Sequence, residues 1–532
     1  MSSSATTPPR CAARQLARIF AAGALVSAVG LAATHHSAQA TGFAVTTTTD
    51  GGAGSLRDAI SQANANPGPD TITVPAGTYT ITIAGSNEDV NATGDFDPAG
   101  DVTIIGAGAG VTIIDADGLD RAFDLQLGTL VLQGMTITNG DVGASAGGNV
   151  LERPGTDLTV QDSVVSHGHA LQGAGIAGEQ GLLTITRSEI IDNVATSIFG
   201  NGSLGAGVSK GGLGNGTLII TDSLIADNNA IDGTAALYIG SNATVTNTTI
   251  TGNSAYTRTV LAEGQGAYSM SVSFVHVTIA GNTETGTAAG VGLHVNVVPP
   301  ASMAVTLEGS LLQDNLAQGN SANCVVANLG AIVSEGNNLA DDASCFLTQP
   351  TDSPSNGGTT LAALADNGGP TRTVALVAGS SAIDAAGACG AATPTDQRGV
   401  GRPAGAACDA GAYEADSVIE ETTTSTTSTT STTSTTSTTA TTSTTATTTS
   451  TTIVDTSTST STTAAATTST TSTTDLGSGG SGTTTTTFVV IPPTVPRGLP
   501  VTGGSPGSGL WLAALMTCLG GLLILGASRL AR

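Results

Sequence analysis

Acidic residues, 40 in all against 15 basic ones, are the side chains in this sequence best suited to bind a metal ion or move a proton. Three of them stand close together in Asp115-Ala-Asp117-Gly-Leu-Asp120. Carboxylate oxygens are the ligands that Ca²⁺ prefers, but this spacing differs from that of an EF-hand loop. The sequence therefore favours a solvated turn here, and we expect no metal and no cofactor.

Histidine and lysine residues are too sparse to suggest an acid–base site. His167 and His169 would point to the same side of a strand, but no third metal ligand lies nearby, so we expect surface residues. The only lysine is Lys210, and the acidic pair Asp341 and Asp342 lies between two cysteines. None of these residues has the neighbours that a catalyst needs, so we expect that the chain is not an enzyme.

The C-terminus contains residues that another enzyme could act on. Leu499-Pro500-Val501-Thr502-Gly503 precedes an apolar run over 510–527, and two arginines follow with no acid. About 18 apolar residues approach the roughly 20 that cross a bilayer as a helix. The arginines favour a cytoplasmic C-terminus, which would place Leu499 outside. The sequence thus predicts a transmembrane helix at 510–527.

This order of motif, apolar span and basic tail resembles the sorting signal of Gram-positive, actinobacterial-type surface proteins. The resemblance implies that a sortase recognises Leu499, Pro500, Val501, Thr502 and Gly503. It would cut between Thr502 and Gly503 and join Thr502 to peptidoglycan, so that the protein touches the membrane only through residues 499–532 before sorting. The alternative is an ordinary single-pass anchor.

The N-terminus has the pattern of a secretory signal peptide over residues 1–40. Arg10, Arg14 and Arg18 precede an apolar stretch, and Ala38-Gln39-Ala40 is a cleavage site of small residues. We therefore expect a secreted chain that begins near Thr41 and is displayed at the cell wall.

Charge argues against nucleic acid as a partner. The formal net charge is −25, and five of the 15 basic residues lie in the two targeting segments, which contain no acid. The mature chain would thus carry about −30, which repels polyanions. Aromatic residues, 3% of the chain, offer few platforms for stacking sugars.

Four cysteines lie outside the targeting segments: Cys324, Cys345, Cys389 and Cys408. Three pairings are open, and pairing of nearest neighbours would close two loops of about 20 residues, each worth roughly 3 kcal/mol. An exported chain permits disulfides. A zinc site is the alternative, but no Cys-x-x-Cys or nearby histidine supports it.

Composition changes after Glu414, and residues 416–498 are dominated by Thr, Ser and Ala. Such a segment buries too little apolar surface to offset its chain entropy, so we expect disorder. Its position before the sorting motif indicates a stalk.

Residues 41–320 contain an internal repeat. Two short β-branched segments are separated by a polar corner, and each copy ends in an asparagine: Asn139, Asn193, Asn228, Asn253, Asn282 and Asn315. Gly168 takes this position in a degenerate copy. Units of this size must stack to bury one face, so we predict an all-β fold, a right-handed parallel β-helix. A β-sandwich is the alternative, but it would not explain the recurring corner asparagine. We expect these asparagines to be structural, through left-handed turns and hydrogen bonds between coils.

Both ends of this region resemble known modules. Val45–Ile60, with Gly-Ser-Leu-Arg-Asp-Ala at 54–59, resembles the N-terminal cap of secreted β-helix proteins with the CSLREA motif. Leu56, Ala59, Ile60 and Ala63 would form one face of a short capping helix. Residues 321–415 resemble the choice-of-anchor Q domain, through Asn367–Thr373, 379–384, 395–400 and Cys408–Glu414.

Five charged residues of the Q-like part are candidates for an acid–base group: Arg372, Asp384, Asp396, Arg398 and Glu414. We favour a buried salt-bridge network that closes the helix.

The sequence thus predicts a wall-anchored surface protein that displays a β-helix for adhesion or binding, with a carbohydrate or a neighbouring surface as partner. The alternative is a wall-tethered polysaccharide-active enzyme, a lyase or glycoside hydrolase. Converging carboxylates with an arginine in a groove would favour the enzyme, and a featureless acidic surface would favour display.

Overall fold

Over the residues that the structure describes, the chain folds as a parallel β-helix with one short helix, which confirms the all-β, parallel β-helix class predicted from the repeats. The computed structural model describes residues 40–416, apart from 87, 198–201, 212–215, 287–291 and 391–392. The predicted signal peptide, stalk, sorting motif and transmembrane helix lie outside the described residues.

Two long sheets, A and B, run the length of the helix and are parallel throughout. The 11 strands of sheet A are Thr41–Ala44, Asp70–Thr73, Val102–Ile105, Thr129–Gln133, Asp157–Gln161, Leu182–Thr186, Thr217–Thr221, Asn242–Thr246, Ser269–Val275, Ser302–Glu308 and Ile332–Gly336. The ten strands of sheet B are Gly77–Thr80, Thr112–Asp115, Thr136–Thr138, Val164–Ser166, Glu189–Ile191, Leu224–Ala226, Thr249–Thr251, Thr278–Ala280, Leu311–Gln313 and Leu339–Ala340.

Three further sheets complete the described fold. The eight strands of sheet C are Phe123–Leu125, Val150–Glu152, Ile176–Gly178, Val208–Lys210, Thr234–Ile239, Arg258–Gly264, Leu293–Val297 and Cys324–Asn328. The seven strands of sheet D are His169–Ala170, Val194–Ala195, Asn229–Ala230, Ser254–Ala255, Thr283–Glu284, Leu316–Ala317 and Asn320–Ser321. Sheet E is an antiparallel hairpin of Leu361–Ala365 and Thr373–Leu376.

The core lies inside the coils because apolar and polar residues alternate along each strand. In Leu182–Thr186, Leu183 and Ile185 point inward and are fully buried, whereas Thr184 and Thr186 stay half-buried on the outside. Parallel pairing keeps the inward positions of successive coils in register, so that they stack into one continuous apolar core.

Helix α1 (Leu56–Ala65) covers the N-terminal end of the stack. It begins at Ser55, whose side chain accepts a hydrogen bond from the Asp58 N–H. Leu56, Ala59, Ile60 and Ala63 are buried, which confirms the predicted apolar face. Within the described part of the chain, no helix is long and apolar enough to cross a membrane.

Two disulfides confirm the pairing of nearest neighbours. Cys324 is joined to Cys345 and Cys389 to Cys408, over 21 and 19 residues of chain. Cys345 also belongs to the main core together with Leu347, so this loop packs against the last coils.

The C-terminal residues lie along the side of the helix rather than over its end, which differs from the predicted closing network. Arg372 donates to the carboxylate of Glu189 from its backbone N–H (2.8 Å) and its Nε (2.9 Å). Gln397 accepts from the hydroxyl of Thr249, and the Ala412 N–H donates to Thr278. This segment therefore spans four strands of sheet B from outside.

Candidate functional site

The repeated asparagines form a buried ladder along the inside of the corner. Each Nδ2 donates to the Oδ1 of the next asparagine of the ladder, at 2.8–3.2 Å. The ladder runs through Asn149, Asn193, Asn228, Asn253, Asn282, Asn315 and Asn323, and Asn323 donates to Asp341. These residues hold the coils together and face no solvent.

Two details of the ladder differ from the expectation. Asn139 has the expected left-handed conformation, with a φ of 61°. It is exposed, however, and its side chain donates to Asp115 at 2.9 Å, so it does not belong to the ladder. Asn149 takes the rung at the degenerate coil, because a Cβ on Gly168 would lie 2.6 Å from its Nδ2. The left-handed conformation elsewhere belongs to the preceding residue, such as Asp192 or Asp227, rather than to the asparagine.

The C-terminal charged residues form a smaller network than expected. Glu414 pairs with Arg402, which was not anticipated, at 2.7 Å with both side chains fully buried. Asp396 pairs with Arg398 and accepts from the Glu414 N–H. Arg372 pairs with Glu189 instead, and Asp384 accepts a hydrogen bond from the Ala407 N–H. Neither residue joins the network.

Lys210 forms a fully buried ion pair with Glu152 inside the helix. The two residues lie two strands apart in sheet C, and Gly178 between them is in register with both. A Cβ on Gly178 would lie 2.9 Å from Lys210 Cδ, so glycine makes the room for the pair. Burial raises the pKa of Glu152 to about 7 and lowers that of Lys210.

The arrangement with the richest chemistry is a set of aspartates at the first coils, here called the acidic cluster: Asp89, Asp95, Asp97, Asp120 and Asp124. Phe96 pairs with Phe123, which brings Asp97 and Asp124 side by side on the outside of sheet C. Arg121 lies 3.2 Å from Asp95 and 3.3 Å from Asp124. Arg153 binds Asp124 with two nitrogens and also reaches Asp89, at 2.6–2.7 Å.

Burial suppresses the ionisation of Asp95 and Asp97 in the acidic cluster. Desolvation raises the pKa of Asp95 to about 8, with the Asp120 and Asp97 carboxylates adding to it. The Arg121 guanidinium opposes this shift, but it is shared among Asp95, Asp120 and Asp124 and does not cancel it. Burial likewise raises the pKa of Asp97 to about 6.

A cation would meet competition in the acidic cluster. Oxygens of Asp89, Asp97 and Asp124 come within 4.8 Å of one another, which suits a metal ion. The same carboxylates already accept hydrogen bonds from Arg153 and Gln126. Asp97 and Asp124 are buried, whereas Asp89 (side chain 56% exposed) and Arg153 (36%) reach solvent. The arginine thus supplies the positive charge that a metal would otherwise bring.

The structure should become less stable as pH rises through the range in which Asp95 ionises. Its folded pKa of about 8 exceeds the ordinary value, so protonated Asp95 stabilises the fold below about pH 4 and this contribution is lost between pH 4 and 8. Replacing Asp95 with Asn should flatten the decline in urea-unfolding free energy over that range. An unchanged slope in Asp95→Asn would show that other groups cause it.

The two histidines occupy different environments. His167 is exposed at a left-handed corner (φ 53°), so the two do not share a strand. His169 lies in sheet D, where its Nδ1 is 2.8 Å from Asp141 and its Nε2 is 3.0 Å from Thr196. Asp341 and Asp342 accept from Asn323 and Ser344, and therefore hold the loop of the first disulfide.

Sequence reasoning missed Arg402 and most of the acidic cluster. The solvated turn predicted at Asp115–Asp120 is wrong for Asp120, which is buried and lies 3.7 Å from Arg121.

A signal for the cluster was nevertheless present. Asp97, Asp124 and Arg153 are separated by 27 and 29 residues, close to the length of one coil. Residues one coil apart stack in a solenoid. Aligning charged residues on the repeat would have brought these three together.

Searches against protein-family models, curated proteins and solved structures each gave no match. The fold and the two disulfides define the chain as a disulfide-bonded parallel β-helix protein.

Proposed function

We propose that this is a secreted, wall-anchored surface protein whose β-helix ectodomain binds an extracellular partner. The observation that carries the proposal is the pair of disulfides, since such bonds persist in oxidising, extracellular compartments. The N-terminal signal pattern and the sorting motif at Leu499–Gly503 agree with it. A rigid solenoid offers long regular faces, which suit binding to an extended carbohydrate or to a neighbouring surface.

Cell fractionation tests the anchoring. We expect the wild type to enter the wall fraction, and a Thr502→Ala variant to remain in the detergent-soluble membrane because the scissile peptide is altered. Thr468→Ser, in the Thr-rich stalk outside the motif, serves as the control and should sort normally. Finding the wild type in the membrane fraction alone would overturn the sortase hypothesis.

A polysaccharide-active enzyme is the second candidate, because the acidic cluster brings carboxylates and arginines together. Its carboxylates are mostly buried and bound by Arg121 and Arg153, which favours a structural role. Incubation of the protein with polyuronides and Ca²⁺ separates the two functions. If the wild type releases unsaturated or reducing sugar ends and Asp124→Asn does not, the protein is an enzyme and the proposed binding function is wrong.

A further inference from the structure

The outside of sheet A carries a regular array of hydroxyl groups over four neighbouring strands, from Leu182–Thr186 to Ser269–Val275. The last two outward positions of each strand are in register with those of the next. Six of these eight positions bear hydroxyls: Thr184, Thr186, Thr221, Thr244, Thr246 and Ser273. The other two are Ile219 and Val275, which are branched at Cβ as threonine is. We call these eight positions the hydroxyl face.

The hydroxyl face is open to a partner. Its residues are half-buried, and Thr244 is exposed. No described residue exchanges a side-chain hydrogen bond with any of the six hydroxyls, whereas Thr249 and Thr278 of sheet B are bound by the C-terminal segment. The six hydroxyls of the hydroxyl face are thus available to groups outside the protein.

The hydroxyl face is also neutral, in a chain whose net charge is −25. None of the four strands contains a charged residue. The one aromatic residue on them, Phe274, points into the core and is fully buried. The hydroxyl face therefore offers no charge to an ionic ligand and no aromatic ring on which a sugar could stack.

Geometry makes the hydroxyl face a two-dimensional lattice. Parallel strands lie about 4.8 Å apart, and outward positions along a strand repeat every ~6.6 Å. β-Branched side chains have restricted χ1 rotation, which limits the positions of the threonine methyls and hydroxyls. Thr159 and Thr306 continue one row on the strands at either side. A matching ligand must be neutral, flat and repeated in two directions, with hydrogen-bonding groups at each point.

We propose that the hydroxyl face binds the surface of ice. The oxygen atoms of ice repeat in two directions at distances close to those of the strands, and each can donate or accept a hydrogen bond. Methyl groups restrict the orientation of neighbouring water, and hydroxyls anchor that layer. Many weak contacts act together on a rigid array. Crystalline polysaccharides are regular as well, but the outward positions of these strands lack the rings that would stack on sugars. The proposal does not depend on wall anchoring.

Slow freezing of a solution of the purified mature protein tests the proposal, since ice takes up proteins that bind its surface and excludes others. We expect the wild type to be enriched in the ice fraction. Thr244→Arg places a long charged side chain on the hydroxyl face and should reduce the enrichment to that of a non-binding protein. Thr244→Val keeps the shape and removes one hydroxyl, so it should retain part of it.

Thr283→Arg is the matched control, because Thr283 is exposed on a strand of sheet D, away from the hydroxyl face. Circular dichroism establishes that all variants fold. Exclusion of the wild type from ice, or an equal loss in Thr283→Arg, would overturn the proposal. So would Thr244-dependent adsorption to crystalline cellulose without uptake into ice, which would assign the face to a polysaccharide.

Discussion

Replacing Lys210 with Met is expected to lower the free energy of unfolding by about 3–5 kcal/mol, the usual effect of removing one partner of a buried ion pair. Both side chains of the Lys210–Glu152 pair are fully buried. Glu152 Oε1 has no hydrogen-bond partner in the described residues, so the lysine is the main group that compensates this carboxylate. Urea unfolding at constant m-value measures the change.

The pH dependence of Lys210→Met distinguishes this cause from a packing defect. Burial already raises the folded pKa of Glu152 above its ordinary value, and loss of the ammonium group raises it further. A raised carboxyl pKa makes the fold most stable at low pH and progressively less stable as the carboxyl ionises. Below about pH 7 the folded Glu152 stays protonated in both proteins, so the deficit of Lys210→Met should be constant there and should grow as pH rises above about 7, where only the wild type ionises Glu152. A deficit independent of pH would point to lost packing instead.

Two matched variants complete this test. Lys210→Met combined with Glu152→Leu removes both charges and should recover most of the lost stability. Arg187→Met breaks the half-exposed pair with Asp162 (side chains 39% and 35% exposed) and should cost less than about 1 kcal/mol. A similar loss in Arg187→Met and Lys210→Met would show that burial does not set the energy of these pairs.

Local patterns explain what could be predicted of this fold. Apolar and polar residues alternate within short segments such as Leu182–Thr186, and an asparagine ends each copy of the repeat. Both patterns are visible within a few residues, and they sufficed to predict stacked parallel strands. The disulfides were predictable because each pair is separated by only 21 or 19 residues. The apolar face of α1 follows from the helical spacing of Leu56, Ala59, Ile60 and Ala63.

Contacts between distant coils could not be predicted in the same way. Glu152 and Lys210 are 58 residues apart, and Arg372 and Glu189 are 183 residues apart. Coil lengths vary because the Gly-rich connections differ, so register between distant coils is not fixed by the spacing in sequence. In the degenerate coil, Gly168 leaves room for the side chain of Asn149, which takes the place of the missing asparagine in the ladder. Asn149 comes from a different segment of the repeat, so aligning the repeats does not reveal this replacement.

The ladder makes Asn228→Ala the second variant with a large expected effect, a loss of about 3 kcal/mol in unfolding free energy. Asn228 Oδ1 accepts from both the backbone N–H (3.2 Å) and the Nδ2 (3.0 Å) of Asn193. Its own Nδ2 donates to the carbonyls of Ile190 and Ala226 and to Asn253. Alanine would leave several of these groups buried without a partner, at about 1–3 kcal/mol for each group stranded.

Asn139→Ala provides the control for Asn228→Ala, because Asn139 has the same side chain and ends a copy of the same repeat but is exposed and outside the ladder. Its loss should stay below about 1 kcal/mol. Asn228→Asp keeps the acceptor for Asn193 while removing the donor and burying a charge, so it should be more destabilising at pH 7 than at pH 4. Equal losses in Asn139→Ala and Asn228→Ala would mean that the hydrogen bonds of the ladder add little to stability. A larger loss in Asn228→Ala would assign its role to the hydrogen bonds that join one coil to the next.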